Sequence, residues 1–472
     1  MKQYHSIINN KKIDNGNWLE IINPSTNQVY AQVSALTKIE LDEAFKSARS
    51  AFKIWSALNV EKRKEILVNW KKLILLNKEE LAQILVSEVA KSHKDALSEI
   101  IRTGEYIDLT ISEFENMELL TFDNTYNGIQ ENIYAEYHRI PKGVGVAISP
   151  FNYPVNLSIS KLAPGILTGN TFVFKPATQG SIVGIRLIEL AIEAGIPAGV
   201  LNVVTGKGKD IGDDIVKNNE IDFISFTGSV GVGNRIKELA SSKDLVFELG
   251  GKDAAIILDD HNLENIASDI VAGAFSYSGQ RCTAIKRVIT TNAIADKISP
   301  LLKLEVEKLT VGLPTENSTI VPLIDKKSAD YVEELINDAI RHQAIALTSI
   351  KRKENLIWPV LLDKVALKSK VAWEEPFGPI LPIIRVETID DMIKVANESN
   401  FGLQTTIYSK DEKLAYELAF KLEVGTININ RRTQRGPDVL PFLGVKDSGF
   451  GVQGIKETIM STTRYKGIIR KK

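Results

Sequence analysis

Between residues 143 and 430 short apolar runs alternate with stretches of helical periodicity, a pattern that few architectures other than a helix-covered parallel sheet accept. The runs 144–148, 171–174, 201–204 and 223–226 are strand-length, and helical segments fit between them. One of these segments, 182–194, ends at Gly195 with Pro197 close behind, a stop signal that returns the chain to the next strand. Alternation at this spacing predicts a parallel sheet with helices on both faces, whose strand ends form a ligand crevice. A second α/β pattern resumes near Ala254 and runs to about Asn430.

The flanks read differently. From about Ile39 to Met117 the apolar residues Leu41, Ala44, Phe45, Ala48, Ala51, Phe52 and Trp55, and others after them, keep three-to-four spacing, which predicts several packed helices. Residues 121–141 turn polar, with Asn127-Gly128 as a hairpin signal and an extended run at 133–137, so a projecting β arm is expected. A last strand is predicted at 462–469. The length of 472 residues fits about two or three domains. With 58 basic against 59 acidic residues, no whole-chain field points to nucleic acid or an anionic membrane. The first residues lack an apolar signal core and no run approaches a membrane span, so a cytoplasmic home is expected. One cysteine and five scattered histidines leave zinc unexpected.

That cysteine, Cys282, sits in Phe275-Ser-Tyr-Ser-Gly-Gln-Arg-Cys-Thr283, where glycine and small polar residues interrupt a helical pattern. The thiolate is the nucleophilic form, and the neighbouring Arg281 guanidinium is expected to favour it. A lone cysteine can equally be a buried structural one; the polar, glycine-flanked setting favours the nucleophile. Glu248, in Val246-Phe247-Glu248-Leu249-Gly250-Gly251-Lys252, is a carboxylate between apolar residues at a strand end. Burial there would suit a general base, and a salt bridge to Lys252 is the structural alternative. Ser149-Pro150-Phe151-Asn152-Tyr153-Pro154 presents Asn152 on a proline-bracketed loop, where its amide can donate to an oxyanion together with a backbone N–H. Phe174-Lys175-Pro176-Ala177-Thr178 closes a strand with a cation and a hydroxyl where a nucleotide ribose would lie. The glycines Gly228, Gly231 and Gly233 depart from the usual dinucleotide spacing and carry little alone.

Together these segments, with Glu374-Glu375-Pro376-Phe377-Gly378-Pro379, resemble the aldehyde dehydrogenase superfamily along nearly the whole chain. Within it the chain is most similar to the non-phosphorylating, NADP-dependent glyceraldehyde-3-phosphate dehydrogenases, through the Asn152 loop, the Cys282 box and Thr433-Gln-Arg-Gly436. The resemblance implies an α/β fold with two doubly wound parallel-sheet domains and a small β oligomerisation arm. It implies a cofactor domain of residues 1–120 and 142–250, a catalytic domain of 251–430, an arm of 121–141 and 453–472, and a homotetramer. It also implies roles: Cys282 as nucleophile, Asn152 and the Cys282 N–H as oxyanion hole, Glu248 as deacylating base. Ser149, Lys175, Thr178, Asp213, Gly228, Ser229, Gly233, Glu375 and Phe377 would bind NADP. Arg102, Tyr153, Arg281, Thr283 and Arg435 would hold a phosphorylated aldehyde, glyceraldehyde 3-phosphate. Threonine at 178, where many NAD-using relatives carry glutamate, favours a 2′-phosphate, with Lys207 or Lys209 adding charge if their loop folds back. Oxidation of a carboxylate semialdehyde, a non-catalytic scaffold and a plain thiol hydrolase are the rival readings.

Overall fold

Phe172, Val173 and Phe174 show why the strands of this chain read as unbroken apolar runs. In the computed structural model, which describes residues 1–123, 125–126, 128–129 and 132–471, their strand Thr171–Lys175 is buried on both faces. Successive side chains of a strand point to opposite faces. Phe172 and Phe174 pack with Ile159, Leu162, Ile182 and Leu187 of the helices Asn156–Leu167 and Ser181–Glu193. Val173 packs on the other side with Phe45, Ala48, Ile211 and Ile215. Each such side chain contributes about 1.5–3 kcal/mol when fully buried, so neither face tolerates a polar substitution.

Among the described residues the first sheet has eight strands, in the order Gly449–Phe450, Asp244–Glu248, Phe223–Thr227, Val144–Ile148, Thr171–Lys175, Leu201–Val203, Ser6–Ile8, Lys11–Ile13. Its five central strands are parallel, and its edges are antiparallel additions from the two ends of the chain. Neither addition was predicted, because three- and two-residue strands leave no periodic signal. The second sheet has seven strands among the described residues: Ile345–Ala346, Val360–Asp363, Ile380–Val386, Arg287–Thr291, Ala254–Ile257, Gln404–Tyr408, Thr426–Ile429. All but the first pair are parallel.

The predicted helical region folds as Lys38–Trp55, Val60–Leu76, Lys78–Val89 and His93–Glu115. The first of these buries Leu41, Ala44, Phe45, Ala48, Ala51 and Trp55, the stripe read from the sequence, while Phe52 stays half-buried. A separate three-stranded sheet is the arm: Thr463–Lys471 runs antiparallel to Ile133–Pro141, from Thr463 opposite Pro141 to Lys471 opposite Ile133, with Leu120–Phe122 beyond. Asn127, half of the predicted hairpin signal, lies outside the described residues. Among the described residues no helix is long and apolar enough to cross a membrane.

Candidate active site

The loop that carries Cys282 is built from backbone few residues adopt. Tyr277 (φ 52°), Ser278 (φ 55°) and Gly279 (φ 71°) are successive left-handed residues. For the two non-glycine positions that conformation costs roughly 1–2 kcal/mol each. Buried hydrogen bonds offset it: Tyr277 Oη donates to Val89 O (2.7 Å), Ser278 Oγ donates to Val321 O (2.7 Å), and Ile324 N donates to Gln280 Oε1 (2.9 Å). The turn delivers Cys282, half-buried, to a cavity of about 720 Å³ at the strand ends of the first sheet. Asn152 reaches the same place from the end of Val144–Ile148, and its Nδ2 donates to Gln280 O (2.9 Å). An amide nitrogen carries two N–H groups, so this bond orients the side chain and leaves one donor. The Asn152 loop is itself braced from below. Glu99 accepts from Val155 N (2.8 Å) and Asn156 N (3.0 Å) and pairs with Lys91, whose Nζ sits 3.7 Å from the Tyr153 ring centroid.

Glu248 ends the strand Asp244–Glu248 and is 4% exposed. Arg435 Nη1 donates to its Oε1, and Thr227 Oγ1 donates to its Oε2 (2.9 Å). Lys161 Nζ lies 4.0 Å from Oε2 and donates to Thr227 Oγ1 (2.7 Å). The Gln453 amide, with its nitrogen toward the carboxylate, is 2.7 and 3.0 Å from the two oxygens. Burial pushes the Lys161 ammonium down to about 8, against the opposing pull of Glu248. Burial, with Glu248 and Glu375 adding to it, pushes the Cys282 thiol up to about 11, although Lys286 and Arg435 pull the other way. The thiolate fraction therefore rises with pH, and inactivation of the cofactor-free protein by iodoacetamide should grow about tenfold per pH unit between pH 7 and 10. A rate flat above pH 7 would mean the thiol is already ionised.

The cavity fits a dinucleotide in its chemistry. Lys175, its ammonium pushed down to about 8 by burial, lies at one wall. The N-terminus of Val230–Leu239, capped by Ser229 and preceded by Gly228, faces the cavity with its unpaired N–H groups. Glu375 Oε1 accepts from Gly251 N (3.0 Å) and lies 3.1 Å from Lys286 Nζ. A Cβ at Gly250 would stand 2.1 Å from Glu375 Oε2, so a larger residue there would displace the Glu375 carboxylate from this position. A thiol and a free amide donor line one nucleotide-sized cavity, a buried carboxylate acts electrostatically on that thiol, and the aldehyde dehydrogenase family model matches residues 12–468.

The chain belongs to the aldehyde dehydrogenase family.

This aldehyde dehydrogenase is 44% identical over 469 residues to the NADP-dependent glyceraldehyde-3-phosphate dehydrogenase of Streptococcus equinus, covering 99% of this chain and 98% of that one. It is 41% identical over 460 residues to the enzyme of that name from Pisum sativum, covering 97% and 92%. The crystal structure of NADP-dependent glyceraldehyde-3-phosphate dehydrogenase from Bacillus halodurans, complexed with NADP, superposes with a TM-score of 0.98 at 44% identity over 100% of both chains. The fold predicted from the resemblance, two Rossmann-like α/β units and a β arm, is the fold observed.

Not every predicted site residue of this aldehyde dehydrogenase meets the others. Ser149, Asn152, Lys175, Asp213, Gly228, Ser229, Cys282, Glu375 and Phe377 line the cavity; Thr178 and Gly233 do not, nor do Glu248, Arg102, Tyr153, Arg281, Thr283 and Arg435. Gly233 instead packs on Leu249, where a Cβ would stand 2.8 Å from Cδ2. Lys209 lines the cavity while Lys207 is exposed at the start of Gly208–Lys217. Arg281 does not activate the thiol as expected: its Nη2 donates to Gly273 O, and the cations acting on Cys282 are Lys286 and Arg435. Side-chain direction, not sequence adjacency, decides this. The three arginines do not converge. Arg102 pairs with Asp438 through Nε (2.9 Å) and Nη2 (2.7 Å) and also donates to Arg435 O (3.2 Å), whereas Arg281 stays with Gly273. Thr283 is buried, its carbonyl accepting from Thr433 Oγ1 (2.9 Å). Lys252 does not bridge Glu248; its buried Nζ has no hydrogen-bond partner among the described residues. Sequence reasoning missed Lys161, Thr227, Lys286, Gln453 and the cavity-lining Arg235, which pairs with Asp213 (2.7 Å). A lysine inside the apolar helix Asn156–Leu167 was the one readable signal among them.

Proposed function

We propose that this protein oxidises glyceraldehyde 3-phosphate to 3-phosphoglycerate with NADP and water, consuming no inorganic phosphate. The reading is supported by Cys282 and Asn152 lining one cavity while Glu248 lies near enough to act electrostatically on Cys282, with Arg102 and Arg435 adjoining across the segment 435–438. Cys282 Sγ, once ionised, adds to the aldehyde carbon to form a thiohemiacetal, and the oxyanion takes the free N–H of Asn152 and the backbone N–H of Cys282. The bound nicotinamide supplies the hydride acceptor. Glu248 then takes a proton from water as its oxygen attacks the cysteinyl thioester, and the acid leaves as the thiolate is restored. Arg102 and Arg435 hold the phosphate, with Tyr153 and Thr283 shaping the pocket and Arg281 bracing its loop. Lys175, Ser229 and Glu375 hold the dinucleotide, with Lys209 and Arg235 as further cations for a 2′-phosphate.

A panel of glyceraldehyde 3-phosphate, glyceraldehyde and a carboxylate semialdehyde, run with both nicotinamide cofactors and with and without phosphate, tests the reading. Preference for the semialdehyde would replace it. Within the panel, Arg102→Ala should raise the KM for glyceraldehyde 3-phosphate far more than for glyceraldehyde. A charge-assisted contact to phosphate is worth about 1.5–3 kcal/mol, at least about tenfold. Equal losses on both aldehydes would make Arg102 a brace for Asp438 and nothing more.

Cofactor choice is tested at Thr178. Thr178 follows the cavity-lining Ala177, and the longer glutamate side chain would bring a carboxylate toward the 2′-phosphate at a like-charge cost of about 1–2 kcal/mol, so Thr178→Glu should weaken NADP about tenfold and leave NAD little changed. An unaltered ratio would move the 2′-phosphate to Lys209 and Arg235. The reading extends to a cytoplasmic homotetramer assembled through the arm, whose strand Thr463–Lys471 leaves Tyr465, Ile468 and Ile469 exposed. Sedimentation of the purified protein tests the assembly.

A further inference from the structure

Arg435 has two claims on it. Its guanidinium is committed to Glu248, while its backbone carbonyl accepts from Arg102, whose own guanidinium is committed to Asp438 three residues further on. The segment 435–438 thus links two ion pairs, Glu248 with Arg435 and Arg102 with Asp438, through the hydrogen bond from Arg102 to the Arg435 carbonyl. A carboxylate clamped by a guanidinium has an oxygen lone pair occupied and its charge neutralised, so it is a poor acceptor for a proton from water. We infer that Arg435 is a switch: bound to Glu248 it holds the base idle, and the phosphate of the substrate draws it away and frees the base for deacylation. This rests on the phosphate reading above.

The competition favours the phosphate on charge. A phosphate monoester near neutral pH carries close to two negative charges on three oxygens against one on the carboxylate, and the planar guanidinium fork matches either partner. Phe442, whose ring centroid is 4.9 Å from the Arg435 guanidinium carbon, offers a face along which the fork can turn. Glu248 is not abandoned when Arg435 leaves. Thr227 Oγ1 still donates to Oε2, the Gln453 amide still reaches both oxygens, and Lys161 stays 4.0 Å away. The carboxylate therefore keeps its position while losing its directly bonded cation, Lys161 remaining 4.0 Å away. The consequence is selectivity at the hydrolytic step: an aldehyde without the phosphate can acylate Cys282, but its thioester meets a clamped base.

The test separates the substrate into its parts. Wild-type enzyme is given NADP and D-glyceraldehyde, with sodium phosphite as a detached dianion, and the burst of reduced cofactor is followed apart from the steady state. Phosphite is expected to raise the steady-state rate about tenfold or more while leaving the burst rate within about twofold, and to compete with glyceraldehyde 3-phosphate. Arg435→Ala, checked for folding by NADP binding, should lose the phosphite response and hydrolyse the glyceroyl thioester faster than wild type does without phosphite. Phosphite that competes with glyceraldehyde 3-phosphate yet leaves the steady state unmoved overturns the switch and spares the phosphate reading. Phosphite that neither competes nor activates overturns both. An acceleration confined to the burst also overturns the switch, since it places the dianion's effect on acylation.

Discussion

Cys282→Ser is expected to lower aldehyde oxidation by at least about 10³-fold, given that removing a covalent nucleophile costs up to about 10⁶ in turnover in a well-studied hydrolase. The chain has one cysteine, so no second thiol can substitute. Serine would present a hydroxyl far weaker in acid than the thiol, in surroundings that already oppose the charged form through burial and through Glu248 and Glu375. The loop itself should survive the change. Its shape comes from Tyr277, Ser278 and Gln280, and the substitution touches none of their hydrogen bonds. The variant should accordingly keep its affinity for NADP, measured by fluorescence titration, while turnover vanishes. Turnover within tenfold of wild type would end the covalent mechanism.

Glu248→Gln should divide the reaction in two. The amide is nearly the same size and can still accept from Thr227 Oγ1, but it cannot take a proton from water. The first turnover should release a stoichiometric burst of reduced cofactor, followed by a steady state slowed by about 10²–10⁴-fold, the usual worth of a general base. Mass spectrometry of the stalled protein should find the acyl group on Cys282. A burst lost together with unslowed steady turnover would remove Glu248 from the hydrolytic step.

The parts of this site that were legible in the sequence are those whose chemistry is local. Asn152 follows a strand and lies between two prolines, Glu248 closes an apolar run before two glycines, and Cys282 follows a glycine-containing break in a helix; Asn152 and Cys282 line one cavity, and Glu248 acts electrostatically on the thiol. The central strands were legible for the same reason, since burial on both faces writes itself as a short apolar run. What failed was direction. Arg281 is adjacent to Cys282 in sequence, yet its guanidinium turns to Gly273, because backbone torsion at Gly279 and Gln280 decides where that side chain goes. Thr178 follows Ala177, which lines the cavity, without lining it itself. Gln453 and Lys286 belong to the site only through tertiary packing, and no periodicity or spacing announces them.

The first sheet is closed on one side by Gly449–Phe450, which pairs with the strand bearing Glu248 and sets the Phe450 ring 6.4 Å from that of Phe247. This has a meaning for biosynthesis. The five parallel strands are complete once residue 248 has left the ribosome, but their outer edge then stays bare until some two hundred further residues have been made. During that interval the strand Asp244–Glu248 offers unpaired backbone groups to any neighbouring nascent chain. The same late segment brings Arg435 and Gln453, so the base gains its shield and its partners in one event. Translation errors or proteolysis that remove the last thirty or so residues would therefore yield a sticky, inactive product, and chaperone demand should peak before the final stretch emerges.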